Sequence, residues 1–453
     1  MSCLIPLSSL QKNKNVKKVG EDLVVKPISQ TANTSIRFGT IPSYMRAQKE
    51  VKVEAFEIFG DRVALPFSYT YHHLNELFIM PKKPEIKLKF KGDLLDRQRE
   101  IRDQVFEILN RTRSVVLCLH TGFGKTIFAL YIASKMGLKV LVLCHRKIIM
   151  DQWVDAAEKY LPGVDVDILD LAKLKKDGYQ LPDILIANTV NIPKLELNFL
   201  SDYGCVIVDE IHTICTEAFA KSLTRIFPSF LIGLSATPHR SDGMDRIIEL
   251  YVGPEMVTKE MKRIFNVYKM KTGFTPDVKR NWDGSIEWNS VLASQAESED
   301  RNRIMVDLVR FFNNRNILIL VKRKDHALVL RKMMLEFMDK SEVDVFFGTM
   351  KCANDKARVL IGTVSKAGVG FDAPHLNMLI TGADVEENFM QYLGRVFRRD
   401  MPPIYIDLVD EMSTLSKHSA TRLKICKEVG GVVRKFEDVF PDWKGYRYLM
   451  NLK

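Results

Sequence analysis

The chain has 453 residues, of which 46% are hydrophobic and 27% charged, with a formal net charge of +11. That length exceeds one ordinary core and predicts two or three domains, and the composition excludes fibrous and disordered classes. No apolar run approaches the roughly 18 residues of a membrane span, no signal-peptide pattern opens the chain, and the seven scattered cysteines lack zinc-type spacing, so an intracellular protein (cytoplasm or nucleus) is expected. The basic balance suits a polyanionic partner and, equally, a lysine-rich solvated surface.

Residues 1–90 differ in texture from the rest. The run "KNKNVKK" reads as a solvated basic tail or a nuclear signal. In "VKVEAFEIFGDRVALPF" two strand-like runs flank Gly60-Asp61, and "MPKKPEIKLKF" looks like a connector. A small, β-rich accessory domain is expected over 1–90.

From residue 91 short apolar runs alternate with helical stretches. "SVVLCL", "KVLVLCH", "DILIANT", "CVIVDE" and "FLIGLSAT" read as parallel strands covered on both faces, with helices such as "KIIMDQWVDAAEKY" between them. A second series follows, "NILILVKR", "ARVLIGTVSK", "LNMLITGA" and "IYIDLVD", with long helices in "EDRNRIMVDLVRFFNN" and "DHALVLRKMMLEFMD". The expected fold class is α/β: one domain over 91–255, a second over 256–415, and a helical tail over 416–453.

Chemistry-bearing residues sit at the ends of these strands. "HTGFGKT", His120 to Thr126, joins a strand to a helix through two glycines. Such a turn lets backbone N–H groups of Gly122 and Gly124 surround phosphate oxygens, with Lys125 on the β- and γ-phosphates and Thr126 on Mg²⁺. Leu119 stands where the strict pattern has glycine. In "VIVDEIH" Asp209 would hold Mg²⁺ and Glu210 would activate the attacking water; alone, the pair could be a solvated turn. Ser235 and Thr237 of "SAT" can bond back toward that strand, or form an ordinary turn. In "QYLGRVFRRD" Gln391, Arg395 and Arg398 would share one helix face, able to direct guanidiniums at a γ-phosphate. A solvated basic helix explains the arginines but not Gly394. Finally, "VKRNWDGSIEWNSV" predicts a hairpin with a two-residue turn at Asp283-Gly284, pairing Trp282 with Ser285 and Lys279 with Trp288. Its tryptophans would either pack as structure or present one ring, Trp282, to a base.

In this order the segments "HTGFGKT", "DEIH", "SAT", "GTVSKAGVGFD" and "QYLGRVFRR" resemble motifs I, II, III, V and VI of superfamily 2 helicases, over residues 91 to about 415. Leu119, "ATPHRSDGMD" and the ending "IDLVDEMSTLSKHSATRLKICKEVGG" are similar to the branch of XPB-type repair translocases, phage UvsW and poxvirus-type transcript-release helicases, the ending resembling tails in helicases of large DNA viruses. The resemblance implies two tandem RecA-like domains, with ATP and Mg²⁺ as cofactors. It implies nucleotide contacts from Gln98 (adenine), Thr121, Gly122, Phe123, Gly124, Lys125, Thr126, Gly370 and Asp372. Catalysis would fall to Lys125, Asp209, Glu210, Arg395 and Arg398. Arg146 and Thr189 would hold backbone phosphates, Thr363, Ser365 and Lys366 would lie near the track, and His212, Ser235, Thr237 and Gln391 would couple the two sites. The implied partners are nucleic acid, DNA ahead of RNA, and transcription or repair machinery, with no membrane. For a viral protein the place of action is the host cell and the virion. An RNA helicase and an ATP-independent annealing or scaffolding factor are the competing readings; the latter has no use for Lys125, Glu210 and Arg398.

Overall fold

The computed structural model describes residues 1–26, 53–120, 122–175, 180–214, 222–236, 244–260, 263–348, 350, 354, 356–367, 373–385, 389–397, 401–441 and 443. The chain divides into two compact units, Met1–Leu119 with Phe123–Lys259, and His120–Gly122 with Glu260–Lys453.

The first unit is built on a seven-stranded sheet. Across it, the strands run Met256–Lys259, Ser114–Leu119, Phe230–Ser235, Cys205–Val208, Val140–Cys144, Ile184–Asn188 and Val166–Ile168. Every pairing is parallel. The central strands are apolar because helices and loops cover both faces, and alternate residues enter opposite cores. Val116, Leu141, Leu143, Val206 and Val208 face one core. Val115, Leu117, Val140, Val142 and Ile207 face the other, with Phe128 and Trp153 from the covering helices.

The expectation of a separate accessory domain over residues 1–90 is corrected here. A three-stranded antiparallel sheet (Ser2–Pro6, Arg62–Pro66, Glu57–Phe59) and the strand pair Val24–Val25 with Val53–Glu54 lie beside three short helices, so the region is mixed rather than β-rich. Cys3, Ile5, Leu65 and Phe67 share a core with sheet residues Val116, Leu141 and Val206. Apolar patterning marks buried residues but not which surface covers them. The connector crosses to the opposite face, where Phe90 stacks on Tyr160 at 5.8 Å.

The second unit carries another seven-stranded parallel sheet. Its order is Val343–Phe346, Val359–Thr363, Ile317–Val321, Met378–Thr381, Ile404–Val409, Phe265–Lys271 and Gly431–Lys435. The last strand corrects the expected tail: after the helix Ser413–Glu428 the chain pairs beside Phe265–Lys271, so residues 416–453 contribute an edge strand as well as helix. Strand Met256–Lys259 likewise belongs to the first sheet although it follows residue 255.

The tryptophan hairpin forms in a different register. Arg280 bridges Ile286, Asn281 N–H donates to Ser285 O at 2.9 Å, and Gly284 N–H donates to Asn281 O at 3.0 Å. The loop is therefore three residues, Trp282-Asp283-Gly284, with Gly284 at φ +81° supplying the left-handed position such a loop requires. Trp282 is 93% exposed. Trp288 is no strand residue; it opens the helix Trp288–Glu297 and its ring lies 6.2 Å from that of His418.

Candidate nucleotide site

Five neighbouring strands of the first sheet deliver the chemistry to one edge, their carboxyl ends. In spatial order these ends lead into the glycine turn, Ser235, Asp209-Glu210, His145-Arg146 and Asn188-Thr189. At about 4.8 Å per strand this row spans roughly 19 Å. The carboxyl edge of a parallel sheet is where α/β folds place ligands.

The glycine turn is a built cradle. Gly122 and Gly124 take φ of +85° and +88°, and a Cβ at Gly124 would meet Gln98 Nε2 at 2.7 Å. Only glycine allows that curl, which turns the chain into the N-terminus of the helix Lys125–Met136. Lys125 Nζ lies 3.2 Å from Leu119 O and 3.8 Å from Glu210 Oε1. Thr126 follows in the first helical turn. Phe123 is buried, so its side chain is core and only its backbone faces the turn.

Gln98, expected at the adenine, is bonded directly to the glycine turn. Its Nε2 donates to Phe123 O at 3.3 Å and Gly124 O at 3.2 Å, and its Oε1 accepts from Leu95 N–H at 2.9 Å. Buried and bonded at both ends, it fastens the helix Asp96–Thr112 to the glycine turn.

Asp209 and Glu210 leave the strand Cys205–Val208 half-buried. Burial, and then the charge of Glu210, push the Asp209 carboxyl above its ordinary value, while the Trp153 indole and the Lys125 ammonium pull it back. Trp153 Nε1 donates to Asp209 Oδ2 at 2.8 Å. Glu210 sits at φ +48°, a left-handed conformation that costs a non-glycine residue about 1–2 kcal/mol. Its Oε2 has no hydrogen-bond partner among the described residues, though His212 Nδ1 lies 3.5 Å away. Backbone strain and an unmet acceptor thus coincide on one residue. His212 Nδ1 also meets Ser235 Oγ at 2.9 Å, which joins the DEIH and SAT segments.

Sequence reasoning missed the chain of bonds beside Glu210. Arg146 Nε donates to His145 Nε2 at 3.1 Å, so His145 Nδ1 carries the proton and faces Thr213 Oγ1 at 3.2 Å; Thr213 in turn donates to Glu210 O at 2.8 Å. Burial and the neighbouring Arg146 hold the His145 pKa below its ordinary value, which keeps this neutral tautomer. Arg146 itself is exposed. Thr189 is not: its hydroxyl is buried and donates to Cys144 O at 3.3 Å, tying the end of one strand to the turn that follows its neighbour.

In the second unit Thr363 ends its strand, with Ser365 Oγ 3.5 Å from its hydroxyl, and Lys366 Nζ lies 5.2 Å above the Phe346 ring. The helix bearing Gln391 spans only Phe389–Arg395, so the expected shared face ends at Arg395. Gly394 is buried within it. Tyr392 OH donates to Val364 O at 2.7 Å and links this helix to the Val359–Thr363 connection, a contact no motif announced. Thr121, Thr237, Gly370, Asp372 and Arg398 lie outside the described residues.

Residues 91–240 match the family model described as type III restriction enzyme, res subunit. The chain is 36% identical over 402 residues to Putative helicase 161L of Invertebrate iridescent virus 6, covering 84% of this chain and 91% of that protein. It is 25% identical over 442 residues to Putative ATP-dependent RNA helicase L396 of Acanthamoeba polyphaga mimivirus, covering 91% of this chain and 82% of that protein. Among solved structures, S. cerevisiae Dbp5 bound to RNA and ADP BeF3 superposes with TM-score 0.51 at 15% identity, over 79% of this chain and 98% of that one, a likeness of fold. With two parallel seven-stranded sheets, the motif row at one sheet edge and a 36%-identical viral relative, the chain belongs to the superfamily 2 helicases of large DNA viruses, ATP-hydrolysing enzymes with tandem RecA-like domains.

Proposed function

We propose that the protein is an ATP-driven nucleic-acid motor that grips a strand by its phosphate backbone, with DNA as its track. The observation that carries the reading is the single edge on which Lys125, Ser235, Glu210 with His212, and Arg146 follow one another from adjacent strands. The glycine turn and Lys125 bind the phosphates of ATP. Thr126 and Asp209 would hold Mg²⁺, whose chemistry is to neutralise charge on the β- and γ-phosphates. Glu210 orients the attacking water and accepts its proton at Oε2, an atom that starts without a hydrogen-bond partner among the described residues. The bonds from Arg146 through His145 and Thr213 to Glu210 connect a backbone-phosphate contact with the residue that activates water.

A second reading, RNA as the track, draws on the printed names of relatives such as the mimivirus protein. Backbone contacts carry no base identity, and the 2′-hydroxyl is what separates the two polymers. Phosphate release measured with single-stranded DNA, duplex DNA and RNA decides between them. Stimulation by DNA supports the proposal, selective stimulation by RNA replaces it with the second reading, and no stimulation by any polymer refutes both. By this reading the protein works where viral genomes are transcribed or repaired, inside the host cell.

A further inference from the structure

Trp153 follows Arg146 by seven residues within the matched span, and among the described residues it is the largest fully buried side chain, 1% exposed. A tryptophan in such a place usually serves as packing, and its indole N–H needs only some acceptor. Here the acceptor is Asp209 Oδ2, at 2.8 Å. The bond joins the middle of the helix Lys147–Tyr160 to the end of the strand Cys205–Val208, and Asp209 N–H donates to Leu143 O at 2.9 Å. Backbone and one carboxylate oxygen are thereby both fixed, and the carboxylate plane can no longer rotate freely.

We propose that Trp153 is a positioning residue for the cation-binding acid: it holds Asp209 Oδ2 so that the other oxygen is presented to the metal that accompanies the nucleotide. The inference rests on the reading of Asp209 as the metal-holding acid. A hydrogen bond to a carboxylate is charge-assisted and directional, and an indole offers one donor only, so it selects one oxygen and leaves its twin. Groups of this kind, which orient a metal-binding side chain, are worth about 10–100-fold in metal affinity. The same tryptophan stands seven residues, two helical turns, from Arg146 at the helix start, so a shift of this helix would move a phosphate contact and the metal acid together.

The test uses the whole chain with Trp153→Phe, and with 3-benzothienylalanine at 153, which keeps the indole shape but has no N–H. Affinity for a fluorescent ADP is titrated at rising Mg²⁺ and in EDTA, with Asp209→Asn as reference. The expected result is a Mg²⁺ requirement raised about 10–100-fold in both Trp153 variants, with metal-free affinity unchanged. An unaltered Mg²⁺ requirement in the benzothienyl protein overturns the inference. So does an equal loss of affinity with and without metal, because a purely structural role would lower both alike. If Asp209→Asn itself keeps the Mg²⁺ dependence, the reading of Asp209 fails first; if it abolishes that dependence while the Trp153 variants behave normally, only the role of Trp153 fails.

Discussion

Glu210 is held at φ +48° with an unbonded carboxylate oxygen, and its replacement should stabilise the first unit while stopping hydrolysis. Three magnitudes decide the sign. The left-handed backbone costs about 1–2 kcal/mol for a residue with a Cβ. A buried acceptor left unmade costs about 1–3 kcal/mol. Against these stand the contacts with Lys125 at 3.8 Å and with His212 Nδ1 at 3.5 Å, each long and worth about 1 kcal/mol at most. Glu210→Ala removes the carboxylate but keeps the strain; Glu210→Gly removes both. At an ordinary negative φ, alanine is more stable than glycine by about 0.5–1 kcal/mol. At this position the order should invert, with Gly above Ala by a similar amount and above the parent by about 1–3 kcal/mol. For a unit of this size each kcal/mol moves the melting temperature by about 2–4 °C, well within reach of calorimetry. Phosphate release from both variants should fall to background. An alanine variant as stable as the glycine variant, or both less stable than the parent, would refute the strain account; normal turnover would refute the assignment of Glu210 as the base.

Other expectations follow from particular contacts. Gly124→Ala should abolish nucleotide binding, and the double variant with Gln98→Ala should recover part of it, because the added Cβ meets Gln98 Nε2 at 2.7 Å; binding by the single variant equal to the parent would contradict the cradle. Arg301 and Asp410 form a pair 2.8 Å apart with side chains 1% exposed, so Arg301→Met should cost about 3–5 kcal/mol in chemical denaturation, while Arg301→Met with Asp410→Leu should cost much less. Burial, and then the charge of Arg301, lower the His326 pKa from 6.5 to about 3. Folding thus favours the neutral ring: its stabilisation is complete above pH 6.5 and is lost as pH falls toward 3, by up to about 1.4 kcal/mol per pH unit, a slope that His326→Gln should flatten in urea titrations. Trp282→Ala should shift stability by less than about 0.5 kcal/mol, since the ring is 93% exposed, and strand separation per ATP should drop if the ring stacks on a base.

What the sequence alone determined is what local physics writes into short segments. Apolar runs such as Ser114–Leu119 and Ile317–Val321 announce buried parallel strands, and "HTGFGKT" announces its turn because backbone curvature there demands glycine. The identity of Lys125, Asp209 and Glu210 as the candidate machinery was legible for the same reason: each follows a strand within a motif only a few residues long, Lys125 at the start of a helix and the two acids directly after their strand. Tertiary structure decided everything that depends on partners distant in the chain. Residues 1–90 could not be read as part of the first core, because the sheet face they cover is made by strands that begin at Ser114. The edge strand Gly431–Lys435 pairs with a segment more than 160 residues earlier, and its burial pattern alone does not reveal it. The hairpin loop took three residues instead of two, since Glu287 N–H bonds Lys279 O and Trp288 is claimed by a helix that packs toward His418. Thr189 and Gln98, polar residues in expected binding segments, turned inward because buried carbonyls at Cys144, Phe123 and Gly124 required donors. Trp153 and His145 came into the site in the same way: a half-buried carboxylate and a half-buried hydroxyl meet them, and which side chain reaches which group is settled only when strands separated by tens of residues lie side by side.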